Sequence, residues 1–211
     1  MYSCFSLFML PRSSNMSLFF FQTLTTCFWK ISPMASSSSK QFKNICVLSG
    51  FHYRKYKEFV QAAIDLGRAI TERKLHLVYG GGDWGLSKLV SEATFVWESQ
   101  VLGIIPKALK PLRCLSDPPT GEELVVSGIQ QRIFKMLNHV DAFIFLPGDL
   151  ATLESLITFA SWAHLNIHKK PIGLLNVNNF YDDLIIFLNH AIKIYFIPFS
   201  AKKTLHLCSY C

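Results

Sequence analysis

Acidic residues are scarce in this chain, and their shortage is uneven. Of 211 residues, 14 are Asp or Glu against 21 Lys or Arg, a formal charge of +7. Residues 1–57 carry no acid at all but hold Arg12, Lys30, Lys40, Lys43, Arg54, Lys55 and Lys57. The remainder then balances at 14 basic and 14 acidic residues, so the body of the chain is neutral. That excludes the basic face a nucleic-acid binder needs. Cysteine is present but lacks pattern: Cys4, Cys27, Cys46, Cys114, Cys208 and Cys211 show neither metal nor disulfide-scaffold spacing. Cys46 lies in an apolar run, where a thiol behaves as a small hydrophobe. The expectation is a reducing compartment, the cytoplasm with the nucleus also allowed, and no structural disulfide. Long apolar runs are missing too. The longest uncharged span, Ser13 to Trp29, is short for a membrane crossing and carries Asn15, Gln22 and several hydroxyls, so no membrane role is expected.

Residues 1–40 read as an extension outside the fold, rich in Phe, Ser and Thr, with Phe19-Phe20-Phe21 and the run Ser37-Ser38-Ser39. Being basic, Ser-rich and acid-poor, they suit an organellar transit peptide, which would make the protein organellar. A secretory signal would need a cleaner apolar core. A third reading is an extension upstream of a true start at Met34-Ala-Ser-Ser.

From Asn44 the chain alternates short buried strands with amphipathic runs. Strands are expected at Ile45–Leu48, Leu75–Tyr79, Val101–Ile105, Ala142–Leu146 and Pro171–Leu175, with a last short one over Thr204–Cys208. Helices are expected over Tyr56–Arg73, Leu86–Trp97, Ser127–His139, from Thr152 (a candidate N-cap) to about Leu165, and Phe180–Ile194. Lys107 to Gly121, with Pro111, Pro118 and Pro119, reads as loop. This is an α/β pattern: one domain over 41–211, a Rossmann-like doubly wound parallel sheet with ligands at the carboxyl ends of its strands.

One stretch concentrates the chemistry, Asp141-Ala-Phe-Ile-Phe-Leu-Pro-Gly-Asp-Leu-Ala-Thr-Leu-Glu-Ser155. A buried strand, a Pro-Gly break and a helix start bring backbone N–H groups and a positive dipole end to one point, a place for phosphate. The second candidate is Gly80-Gly81-Gly82 with Gly85, directly after a strand, where glycines permit close approach of backbone to ligand. Both stretches resemble motifs of the LONELY GUY family of plant cytokinin riboside 5′-monophosphate phosphoribohydrolases. Pro147-Gly148-Asp149-Leu150-Ala151-Thr152-Leu153-Glu154-Ser155 is similar to its Pro-Gly-Gly-x-Gly-Thr-x-x-Glu, and Tyr79-Gly80-Gly81-Gly82-x-x-Gly85-Leu86 to its glycine loop. Ile45-Cys46-Val47-x-x-Gly50, Ile104-Ile105-Pro106-Lys107, Gln131-Arg132 with Met136, and Trp162-Ala163 through Ile167-His168-x-Lys170-Pro171 extend the likeness over most of residues 44–207. The family has a further C-terminal helix beyond the point where this sequence ends.

The resemblance implies hydrolysis of the N-glycosidic bond between a cytokinin base and ribose 5-phosphate, a homodimer, and no cofactor or metal. Such cleavage passes through an oxocarbenium-like sugar and calls for a carboxylate near the ribose. The family's catalytic arginine falls on Arg132 and its glutamate on Ser155, so the hydroxyl replaces a charge. The substrate-binding positions it implies are Gly80, Gly81, Gly82, Gly85, Cys114, Arg132, Ile133, Gly148, Asp149, Leu150, Ala151, Thr152, Leu153, Glu154, Ser155 and Ser161. Besides Cys114, five of these depart from the family: Ile133 for a lysine, Asp149 and Ala151 for glycines, Ser155 for the glutamate, and Ser161 for a threonine whose hydroxyl it keeps. Cys114 falls near a substrate-binding glutamate, given one inserted residue. Asp149 would repel a phosphate dianion and could itself occupy the nest of N–H groups. Glu154 sits one residue from the lost glutamate, a rotation of about 100° on a helix, so it is read as a charge near a helix N-terminus. The expected outcome is an impaired hydrolase, or a non-catalytic nucleotide-binding or dimer-partner protein.

Weaker patterns carry little. His164 and His168 have the spacing of a zinc pair but no third ligand beside them. Some members of the family carry the label lysine decarboxylase, and no local pattern here marks a pyridoxal-phosphate lysine.

Overall fold

The computed structural model describes residues 42–51, 56–82, 84–113, 119–199 and 205–210. The expected N-terminal extension, residues 1–40, and Cys114 lie outside them. Seven strands form one parallel sheet: β1 Asn44–Leu48, β2 His76–Tyr79, β3 Val101–Pro106, β4 Glu122–Val126, β5 Ala142–Phe145, β6 Ile172–Val177 and β7 Leu205–Tyr210. They stand in the order β4-β3-β2-β1-β5-β6-β7. Five helices connect them: α1 Lys57–Glu72, α2 Gly85–Val96, α3 Ile129–His139, α4 Leu150–His164 and α5 Asp182–Lys193, with a 3₁₀ segment Lys107–Arg113 after β3.

The alternation of side chains along each strand sorts the core into two layers. Ile45 and Val47 of β1 face the buried stripes of α1 (Ala62, Ala63, Leu66, Ile70) and α2 (Leu86, Val90). Cys46 and Leu48 face the other way, against Ile133, Met136 and Leu137 of α3 and Leu156 and Phe159 of α4. Both faces being covered, β1, β5 and β6 carry no polar alternation, which is why they read as short apolar runs. Cys46 is a free, buried thiol, and burial pushes it up to about 12 despite the lowering influence of Arg132.

Strand order reverses between β1 and β5, the switch point of the sheet, and the crevice of a doubly wound fold lies outside the carboxyl ends of the strands there. The two turns there touch: Leu146 N–H donates to Leu48 O (2.9 Å) and Gly50 N–H to Pro147 O (3.3 Å). A side chain at Gly50 would put its Cβ 2.6 Å from Asp149 N and 2.7 Å from Gly148 Cα, so glycine is what allows the turns to meet.

Three expectations need correction. β4 was missed: it is an edge strand paired only to β3, with Glu122 and Val125 exposed, and its two leading glutamates hide the strand pattern. The N-cap of α4 is Asp149 rather than Thr152. Cys208 in β7 is disulfide-bonded, contrary to the expectation of no disulfide.

The histidine pair also separates. His168 is buried with Nε2 2.9 Å from Phe159 O, while its Nδ1 accepts the Lys170 N–H at 3.1 Å. With Nδ1 as acceptor, Nε2 is the donor and the ring is neutral. His164 is exposed on the last turn of α4, and no group of metal-ligand residues forms among the described residues.

Candidate functional site

The site is assembled at the carboxyl edge of β1, β2, β3 and β5. After β5, Pro147-Gly148 turns the chain into α4, and Gly148 is pressed against the helix it leads into. A Cβ there would lie 2.3 Å from Thr152 Oγ1. Asp149 closes the helix end. Its Oδ1 accepts from Thr152 N–H (3.0 Å) and Thr152 Oγ1 (3.1 Å), and its Oδ2 accepts from Phe51 N–H in the β1 turn (3.3 Å). The first is the bond of an N-cap to the third helical residue. The Phe51 bond is different in kind, because it ties the helix end to a turn across the switch point. The carboxylate therefore sits inside the ring of donors that a helix N-terminus offers to an anion.

Opposite stands Arg132 on α3. Its Nε donates to Ile104 O at 3.1 Å and its Nη2 to Gly80 O at 3.2 Å. The guanidinium thus lies across the ends of β2 and β3, fixed by two main-chain carbonyls. Burial lowers its pKa from the ordinary value, opposed by the Cys46 thiol, Glu154 and Asp149. An arginine remains cationic through such a shift. A Cβ on Gly80 would fall 2.2 Å from Arg132 Nη2.

The rest of the glycine loop divides by what each glycine touches. Gly81 (φ +64°) would set a Cβ 2.8 Å from Ile105 Cβ, and Gly85 (φ +78°) would set one 2.1 Å from Gly50 O. Gly82 (φ +100°) has nothing within 4 Å and is the loop glycine whose side faces open space. Sequence reasoning offered ligand approach as the reason for all four. The structure supplies internal reasons for three: room for Arg132, packing on β3, and contact with the β1 turn.

The remaining positions scatter. Ser155 is buried, and its hydroxyl donates to Ala151 O one turn back (3.0 Å). It is spent on its own helix, as serines within helices often are. Glu154 is exposed and 3.5 Å from Ser155 Oγ. Glu154 and Asp149 are the acidic groups whose charge bears on Arg132. Ile133 belongs to the core beneath the sheet rather than to the crevice. Thr152 is buried beneath the Asp149 carboxylate, Leu153 packs on the core, and Leu150, Ala151 and Ser161 are exposed. Two contributors were not foreseen: the Phe51 N–H, and Ser49, whose Oγ accepts Ser87 N–H (2.8 Å) and ties the β1 turn to α2. A backbone donor leaves no mark in sequence. Only the adjacency of β1 and β5 reveals it.

A parallel, doubly wound sheet with a helix N-terminus at its switch point and an arginine across the neighbouring strand ends defines the class: an α/β protein of the doubly wound kind. Solved structures agree on the fold. The molybdenum cofactor binding protein of Rippkaea orientalis superposes with a TM-score of 0.56 at 17% identity, over 80% of this chain and 90% of that one. The molybdenum cofactor carrier protein of Chlamydomonas reinhardtii gives 0.54 at 13% identity, over 78% and 89%. The family is fixed by sequence. Residues 88–210 match the family model described as possible lysine decarboxylase. The cytokinin riboside 5′-monophosphate phosphoribohydrolase LOG of Oryza sativa subsp. japonica is 44% identical over 163 residues, 77% of this chain and 67% of that protein. LOG3 of Arabidopsis thaliana, of the same description, is 43% identical over 168 residues, 80% and 78%. The chain belongs to the LONELY GUY family of phosphoribohydrolases.

Proposed function

We propose that this protein hydrolyses the N-glycosidic bond of a cytokinin riboside 5′-monophosphate, releasing base and ribose 5-phosphate, at a rate well below that of its relatives. The activity of the rice and Arabidopsis relatives supports the reaction. The observation that carries the reduced rate is Ser155, a buried hydroxyl bonded to Ala151 O where the family places a carboxylate. In the reaction the C1′–N bond breaks with its electron pair going to the base. Water adds at C1′ and gives up a proton, which ends on the departing base. A carboxylate at 155 would stabilise the cationic sugar or accept that proton, and losing such a group costs ~10²–10⁴-fold. Arg132, held by Ile104 O and Gly80 O, remains to orient the ligand's negative charge.

The same observation favours a second reading, a family member that binds nucleotide without turning it over. The two separate in one assay: base release from isopentenyladenosine monophosphate by the purified chain, beside the rice relative and a no-enzyme blank. The proposal expects release above the blank and about 10²-fold or more below the relative. Release at the relative's rate would sink it, and binding with no release would favour the second reading.

A homodimer is part of the proposal. On the helices covering one sheet face, Ile129 and Phe134 of α3 and Leu150 and Ile157 of α4 are exposed at 51%, 55%, 84% and 48%, apolar surface of the kind an obligate partner covers. Sedimentation of the purified chain as a monomer would refute it.

A further inference from the structure

We infer that Asp149 is a specificity-determining residue: it fills the anion place of the crevice with the protein's own carboxylate, so that the site accepts a nucleoside at least as readily as its 5′-monophosphate. This rests on the proposed function and narrows its substrate class.

Geometry carries the inference. Three donors converge on one carboxylate, two from Thr152 at the start of α4 and one from Phe51, 98 residues away in sequence. An ordinary helix cap would satisfy its own helix and stop there. Here both oxygens are used, and the second is held by the neighbouring strand's turn, at the point where a doubly wound sheet receives a ligand's phosphate. The group is also confined. The β1 turn lies so close that a Cβ on Gly50 would stand 2.6 Å from Asp149 N, while Gly148 is packed on Thr152. Carboxylate and phosphate ask for the same donors, and hydrogen bonds to a charged acceptor are the strong kind. A phosphate dianion entering this place must displace a bound like charge or lie beside it. A ribose with a free 5′-hydroxyl meets neither obstacle.

The test is calorimetric titration of isopentenyladenosine and of its 5′-monophosphate into the wild-type chain, Asp149→Gly and Asp149→Asn. The expected wild-type result is nucleoside bound as tightly as nucleotide or more tightly. Asp149→Gly should shift the ratio toward nucleotide by about tenfold or more, with nucleoside affinity little changed. Asp149→Asn retains a capping oxygen for Thr152 without the charge, so it should move the ratio part of the way and keep the fold. Nucleotide bound about tenfold more tightly than nucleoside by the wild type would overturn the inference, as would a ratio unmoved by Asp149→Gly. If the wild type binds neither ligand, the proposed function fails and inorganic phosphate decides the inference alone. Phosphate should raise the melting temperature of Asp149→Gly and not of the wild type, and equal stabilisation of both would overturn it.

Discussion

The two glycine-bearing turns of the crevice, after β2 and after β5, have been treated differently. In the first, Gly80, Gly81, Gly82 and Gly85 all stand, and three of them are needed by the protein itself: for Arg132, for β3 and for the β1 turn. In the second, Gly148 is likewise required by contact with Thr152, but its neighbours are Asp149 and Ala151. Glycines that serve the fold stand in both turns, and the departures in the second, Asp149 and Ala151, fall on positions that are not buried. The departures thus leave the contacts that hold the two turns together in place.

Substitutions can break or sharpen this comparison. The largest effect belongs to Gly85→Ala, whose Cβ would meet Gly50 O at 2.1 Å with φ at +78°. Backbone meets backbone there, so neither can rotate away, and a loss of about 3 kcal/mol or more is expected in denaturant unfolding. Gly80→Ala should cost less, about 1–2 kcal/mol, because the clash is with the far end of Arg132, which can swing aside at the loss of its hydrogen bonds. Its signature would be weakened ligand binding in a folded protein. Gly82→Ala meets nothing within 4 Å and bears only the strain of φ +100°, about 1 kcal/mol. Equal losses at Gly85 and Gly82 would erase the distinction between fold-serving and open glycines.

A smaller effect, remote from both turns, is set by pH. Burial lowers the pKa of His168, helped by Lys170 and opposed by the bond to Phe159 O. The unfolded chain therefore takes up this proton first as pH falls. The contribution is complete above the ordinary histidine value of about 6.5 and declines as pH drops from there through the depressed folded value. His168→Gln should flatten that part of a stability–pH curve, whereas an unchanged slope would show that another group produces it.

How much was legible beforehand follows the same division. β1, β5 and β6 were readable because a strand covered on both faces must be apolar throughout, whereas β4, half-exposed at the sheet edge, was not. Asp149 was suspect on charge alone, and its ability to fill the nest follows from chemistry any aspartate brings to a helix start. That Phe51 supplies the third donor was beyond reach, since it depends on β1 lying beside β5. Glu154 stands exposed near the start of α4, as a charge near a helix N-terminus does.

The central claim is that the scaffold is sound and the loss lies in the first turns of α4. It is tested most directly by base release from isopentenyladenosine monophosphate, comparing the wild type with the triple variant Ser155→Glu, Asp149→Gly, Ala151→Gly. The account predicts that turnover rises in the triple variant by about 10²-fold or more. A folded triple variant no faster than the wild type would contradict it.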